Sequence, residues 1–177
     1  MKNHLMLKDM TRIALFTALL VVCSWITVPA AIPFTLQTLA VFLAAGLLGS
    51  ARGCLAVLIY LLLGAAGLPV FSGMKGGLSA LLGPTGGFLL GFLPAAALVG
   101  LGRGKSVPLK ILWMSLGLAV CYFVGTVWYG LLYMPEGMGW IRICQSCVFP
   151  FLLPDMAKAV LAAYLAQRLQ NRVQGAF

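Results

Sequence analysis

Six apolar runs, separated by short polar breaks, account for most of the chain between Thr11 and Leu169. They extend from about Thr11 to Val28, Leu36 to Gly49, Gly53 to Leu68, Gly86 to Leu101, Leu109 to Met134 and Phe151 to Leu169. A hydrocarbon core about 30 Å thick needs about 20 apolar residues in a helix. The second, third and fourth runs fall short, so adjoining non-helical residues buried in protein would complete those spans. The pattern predicts an all-α integral membrane protein with six transmembrane helices, in a single membrane domain over residues 1–177.

Composition closes the other routes. Of 177 residues, 62% are hydrophobic, 12 are Lys or Arg and 3 are Asp or Glu. A soluble domain carries about 25% charged residues, so this chain is read neither as a water-soluble globule nor as a disordered one. The formal charge of +9 does not point to nucleic acid. Such a partner needs basic residues gathered on a solvated face, and here they punctuate apolar runs. Six spans with a cytoplasmic N-terminus put Lys2, Lys8, Arg12, Arg52, Arg103, Lys105, Lys110, Arg168 and Arg172 inside. Only Lys75 and Arg142 then lie outside, and Lys158 falls within the last run. That is the positive-inside bias, and it places both termini in the cytoplasm. The connections 29–35, 70–82 and 135–150 then face out. Polar loops on a rigid helical scaffold are where binding usually resides.

Several activities lack their machinery. There is no G-x-x-x-x-G-K-[ST] loop for ATP, no H-E-x-x-H and no intramembrane Ser/His/Asp set. No inverted repeat relates the halves, as a self-sufficient alternating-access transporter would often show. His4 has no ligand partners near it, and Cys144-x-x-Cys147 has no second pair to complete a zinc site. Neither a metal nor a cofactor is expected. That pair reads as two unremarkable cysteines or an external disulfide. Cys23, Cys54 and Cys121 sit in apolar runs as small hydrophobes. No small-x-small cleavage site with a polar mature segment follows the first run, so it reads as a retained helix.

The few polar residues inside the runs then carry the question. Of the three acids, Asp9 adjoins the N-terminal basic cluster, Glu136 lies in a Pro/Gly loop, and Asp155 opens the last run with Lys158 three residues on. Positions i and i+3 share a helix face, and a charge at membrane depth must be paired or face a polar cavity. Pro154 and Asp155 are expected in the first helical turn, where a missing N–H and a negative charge are both favoured. Two readings stand: a structural ion pair pinning the helix, or a binding pair in an outward-facing cavity. Gln37, which can donate and accept, is either an interhelical tie or a ligand contact. Gly83-Pro84-Thr85-Gly86-Gly87-Phe88 is either a tight helix entry or a ligand-facing turn. Ala14 and Ala18 form a small-x-x-x-small face that allows close helix approach. Trp25, Trp113, Trp128 and Trp140 read as an interfacial belt, with Trp128 and Tyr122 alternatively lining an apolar pocket.

Four segments together resemble one family. They are Ile32-Pro33-Phe34-Thr35-Leu36-Gln37-Thr38, Gly67-Leu68-Pro69-Val70-Phe71, Gly83-Pro84-Thr85-Gly86-Gly87-Phe88 and Pro154-Asp155-Met156-Ala157-Lys158-Ala159. In order and spacing they resemble the BioY family, the biotin-binding S components of energy-coupling factor (ECF) transporters. The departure is Phe88, where tyrosine is the more frequent family residue, which removes the hydroxyl such a contact would use.

The resemblance implies a six-helix S-component fold in a bacterial cell membrane. It implies a biotin pocket at the outer face, closed by the loops around the first and third connections. In that reading Asp155 accepts from the ureido N–H groups, Lys158 donates to the ureido carbonyl or pairs with Asp155, and Gln37 and Thr35 add polar contacts. Phe71, Phe88 and Trp128 enclose the rings, with Thr85 and Gly86 in the adjoining turn. Lys75 or backbone N–H groups of the glycine-rich loop meet the carboxylate. Ala14 and Ala18 dock on a transmembrane coupling protein that carries two ATPases, whose work topples the S component inward. The chain is then a transport component and not an enzyme. The alternatives are an S component for another vitamin, such as thiamine or riboflavin, and a membrane-embedded enzyme acting on lipid through Asp155 and Lys158.

Overall fold

A computed structural model describes residues 7–28, 33–135, 137 and 139–174. Lys2, His4, the start of the first loop and Glu136 lie outside these residues, as does the side chain of Arg172.

The apolar runs are helices. The first is α1, Leu7–Trp25. It begins a turn before the apolar stretch, where Asp9 of its first turn pairs with Arg52 at 2.8 Å. It ends at Trp25 because the β-branched residues that follow pair instead. Thr27–Val28 (β1) and Phe34–Thr35 (β2) form an antiparallel ribbon, Thr27 opposite Thr35 and Val28 opposite Phe34. Then come α2, Gln37–Leu48, and α3, Ser50–Ala65. Gly49 alone separates them, at φ 85°, a left-handed conformation natural to glycine. Arg103 Nη1 donates to the Leu48 carbonyl there at 2.9 Å, satisfying one orphan acceptor of the α2 terminus.

The connection 70–82 is not plain loop. It holds a 3₁₀ turn, Ser72–Met74, and a single helical turn, α4, Leu78–Leu81. Next are α5, Gly86–Leu101, and α6, Val107–Leu132, with Pro108 in its first turn. The connection 135–150, expected to be a loop, contains α7, Trp140–Cys147. Ile143 and Cys147, one turn apart, are buried while Ile141, Arg142, Gln145 and Ser146 are exposed. The last helix is α8, Phe149–Gln174. It starts earlier than expected, so Pro154 lies inside it and Asp155 is past the first turn. The helix dipole therefore does not account for Asp155, and its side-chain partners must.

Helix α2 packs against α1, α3, α5 and α8, and α5 lies along α6. Glycines set that second contact. A Cβ at Gly87 would overlap Trp128, one at Gly125 would overlap the Phe88 ring, and one at Gly117 would come 2.8 Å from Val99 and 3.0 Å from the Ala95 carbonyl. Backbones that approach this closely replace the hydrophobic drive that is missing between helices in lipid. Helix α6 and residues Phe149–Asn171 of α8 are long and apolar enough to cross a membrane.

At the end of the bundle near the α6 N-terminus, Lys110 is buried and donates to Gln167 at 2.5 Å and Gln170 at 2.8 Å. Gln170 in turn donates to the Gly46 carbonyl at 2.8 Å. This ties α2, α6 and α8 together. The thiols of Cys144 and Cys147, on successive turns of α7, are not bridged.

Candidate functional site

Near the other end of the bundle, β2 and the first turn of α2, the connection 70–82, the starts of α5 and α8, Cys121 and Tyr122 of α6 and Cys147 of α7 line a cavity of about 530 Å³. That lies within the roughly 300–1,000 Å³ typical of small-molecule sites.

Its charged wall is the Asp155–Lys158 pair. The i,i+3 spacing on α8 brings Lys158 Nζ to 2.7 Å from Asp155 Oδ1, with both side chains buried. The other groups around the pair come from distant elements. Thr38, on the first turn of α2, donates to Asp155 Oδ1 at 3.0 Å, and Tyr122 of α6 donates to Asp155 Oδ2 at 2.7 Å. Lys158 also donates to the Thr35 carbonyl at 2.6 Å and to Thr38 Oγ1 at 3.2 Å. Its ammonium sits 3.8 Å over the Phe34 ring, a cation–π contact that strengthens when desolvated. Phe34 stacks against Phe151 with centroids 6.4 Å apart. A buried charge without partners costs several kcal/mol; here each charge has its counter-charge and further hydrogen bonds.

Gln37 is engaged inside the protein. Its amide nitrogen donates to the Tyr60 hydroxyl, and its oxygen accepts from Thr35 Oγ1 at 3.1 Å. Tyr60 meets Phe71 edge to face at 5.4 Å. Phe71 fits because residue 64 is glycine, where a Cβ would overlap the ring. The loops are also tied to each other. Thr27 and Ser72 hydroxyls lie 3.0 Å apart, and Trp25 Nε1 donates to the Pro69 carbonyl at 2.8 Å.

Of the residues singled out from sequence, Thr35, Gln37, Phe71, Lys75, Thr85, Phe88, Asp155 and Lys158 line this cavity. Lys75 is on its exposed rim, beside Ser72 and Ser79. Gly86 and Trp128 stand behind the wall, Gly86 against the Leu81 carbonyl and Trp128, whose Nε1 donates to the Gly83 carbonyl at 3.0 Å. Ala14 and Ala18 lie elsewhere, exposed in an apolar groove between α1 and α3.

Sequence reasoning misses Thr38 and the polar role of Tyr122, for which the sequence suggests only an apolar wall. It also misses Cys147, whose thiol lines the cavity from α7. Burial, and then the neighbouring Cys144, push that thiol up to about 11, so at neutral pH it is protonated. Among the described residues no cluster of three or more His, Cys, Asp or Glu is placed to hold a metal ion.

A model of the BioY family matches residues 1–175. The chain belongs to the BioY family. Two relatives span nearly its full length. A probable biotin transporter BioY from Pyrococcus horikoshii is 41% identical over 165 residues, covering 93% of this chain and 97% of that one. The biotin transporter BioY of Thermotoga maritima is 42% identical over 169 residues, with the same coverage. Among solved structures, the fold matches a crystal structure of the S-component for biotin from an ECF-type ABC transporter. The TM-score is 0.85 with 27% identity, covering 97% of this chain and 95% of that chain. Membership of this family, together with the apolar helices, makes this a membrane protein with the S-component fold.

Proposed function

We propose that this chain is the biotin-binding membrane component of an uptake system. It captures biotin in the outer cavity and delivers it inward together with an ECF-type energising module. The observation that carries the reading is the buried Asp155–Lys158 pair, with Thr38 and Tyr122, set into a cavity of small-molecule size. The names borne by the relatives and by the matching structure support the same ligand.

In this reading Asp155 accepts from the ureido N–H groups, while Lys158 neutralises it and holds the Thr35 carbonyl. Phe34, Phe71 and Phe88 pack on the rings. Lys75, with the backbone of the glycine-rich turn, meets the valerate carboxylate. Gln37 shapes the first loop through Thr35 and Tyr60. Trp128 and Gly86 support the Thr85 turn from behind.

The reading includes six membrane spans in one domain, cytoplasmic termini and a place in a bacterial cell membrane. The positive-inside distribution supports that orientation. It also includes docking of the Ala14/Ala18 face on a transmembrane coupling protein with two ATPases. The exposure of both alanines supports this.

The test is ligand binding to the isolated chain in detergent, read by calorimetry or thermal stabilisation. Stabilisation by biotin at low micromolar concentration or below is expected. Stabilisation by thiamine or riboflavin, and not by biotin, would overturn the ligand assignment. Turnover of a lipid substrate that Asp155→Asn abolishes would favour an enzyme instead.

A further inference from the structure

The hydrogens of the Lys158, Thr38 and Tyr122 side chains are all accounted for. An ammonium has three N–H donors and no acceptor, and a hydroxyl has one donor and two lone pairs. The Lys158 ammonium donates to the Thr35 carbonyl, Thr38 Oγ1 and Asp155 Oδ1. Thr38 gives its one hydrogen to Asp155 Oδ1, and Tyr122 gives its one to Asp155 Oδ2. No donor of these four groups is left for a ligand. What remains is acceptor capacity: Oδ2 of Asp155, which has a single partner here, and the lone pairs of the Tyr122 hydroxyl. Both residues line the cavity.

We propose that Tyr122 is a specificity-determining residue: by donating to Asp155 Oδ2 it leaves the Asp155–Tyr122 corner of the cavity able only to accept, so that a ligand must present N–H groups there. Two effects follow from one hydroxyl. It holds the carboxylate in one orientation. It also adds a second acceptor 2.7 Å from the first. A ligand bringing a carbonyl or carboxylate to this corner meets lone pairs with no hydrogens between, and the desolvated mismatch costs binding. Phenylalanine at this position would keep the ring and lose both effects. The inference rests on the biotin reading, since it makes the ureido N–H groups the feature selected.

The experiment measures affinities of the detergent-solubilised full chain for biotin and for ureido-N-methylated biotin, in wild type and in Tyr122→Phe. The expected result is biotin binding weakened about tenfold or more, with the preference for biotin over the N-methyl analogue narrowed by a similar factor. The thermal midpoint of the ligand-free variant should fall only modestly, because Asp155 Oδ1 keeps Thr38 and Lys158. Equal loss for both ligands, with the preference unchanged, marks a merely structural role and overturns the proposal, as does wild-type affinity. If Tyr122→Phe fails to fold, 3-fluorotyrosine at position 122 keeps ring and hydroxyl but weakens the oxygen as an acceptor. A narrowed preference then supports the proposal, and an unchanged one overturns it. Biotin binding by wild type with an unchanged preference in the variants removes this inference and leaves the biotin reading intact; no biotin binding by wild type removes both.

Discussion

Lys158 on the last helix donates to the backbone carbonyl of Thr35 on the first ribbon, 2.6 Å away across 123 residues. The contact joins the ion pair to the loop that roofs the cavity. The pair thus lines the cavity and ties the last helix to that loop at once, and in the proposed reading the binding and structural roles separate by mutation.

Replacing either charge alone leaves the other buried and unpaired. Asp155→Ala and Lys158→Ala should each destabilise the chain by about 3–5 kcal/mol and abolish biotin binding at micromolar concentrations. The double variant Asp155→Leu with Lys158→Met removes both charges. It should recover much of the thermal midpoint without recovering binding. Wild-type affinity in both single variants would refute the pocket.

Gly64→Ala places a methyl group in the Phe71 ring. Overpacking of this kind costs about 1–3 kcal/mol. Phe71 should move out of its slot beside Tyr60, and biotin affinity should fall with the melting temperature. Gly67→Ala is a poor control because φ there is 98°. Ala65→Ser, two residues earlier, is the better comparison and should change neither quantity appreciably.

Bulk on the α1 groove tests docking apart from binding. Ala14→Trp with Ala18→Trp fills an exposed face well away from the cavity. Biotin binding by the purified chain should persist while uptake by cells is lost. Uptake that survives the double substitution removes this face as the docking surface.

Cys147 offers a reporter inside the cavity. Its thiol is raised to about 11 by burial and by Cys144, and the thiolate is the reactive form. Labelling by a small thiol reagent in a variant that keeps Cys147 as its only cysteine should quicken as pH rises from 7 to 9, because burial, the larger cause, still raises the thiol. Biotin should slow it. A labelling rate indifferent to biotin would place the ligand elsewhere.

The parts of this molecule visible in the sequence are those written in consecutive residues. Apolar runs mark the long helices, and an acid and a base three apart in an apolar stretch mark the pair. Helix α7 is harder to see, because Trp140–Cys147 mixes Arg142, Gln145 and Ser146 with its apolar residues and reads as loop until Ile143 and Cys147 find a surface to cover. Thr38 and Tyr122 are harder still. Their hydroxyls meet Asp155 from positions 117 and 33 residues away, and nothing local distinguishes them from other hydroxyls in apolar runs. Trp128 shows the converse. Its place in the chain suits an interfacial belt or, alternatively, a pocket wall, and the rotation of α6 turns its ring toward Gly86 and Gly87.

The glycine contacts between α5 and α6 also bear on how such a protein can change its cargo over evolutionary time. Phe88 is held by the absence of a side chain at Gly125, and Trp128 by the absence of one at Gly87. A side chain added at either glycine displaces an aromatic ring before it reshapes the cavity. Those two glycine–aromatic pairs are therefore inherited as a unit. Novelty in what the protein accepts arises at lining positions outside those contacts, at Tyr122, at residues 34–38, along 71–80 and on the turn of α8 bearing Asp155 and Lys158, where side chains can be exchanged one at a time.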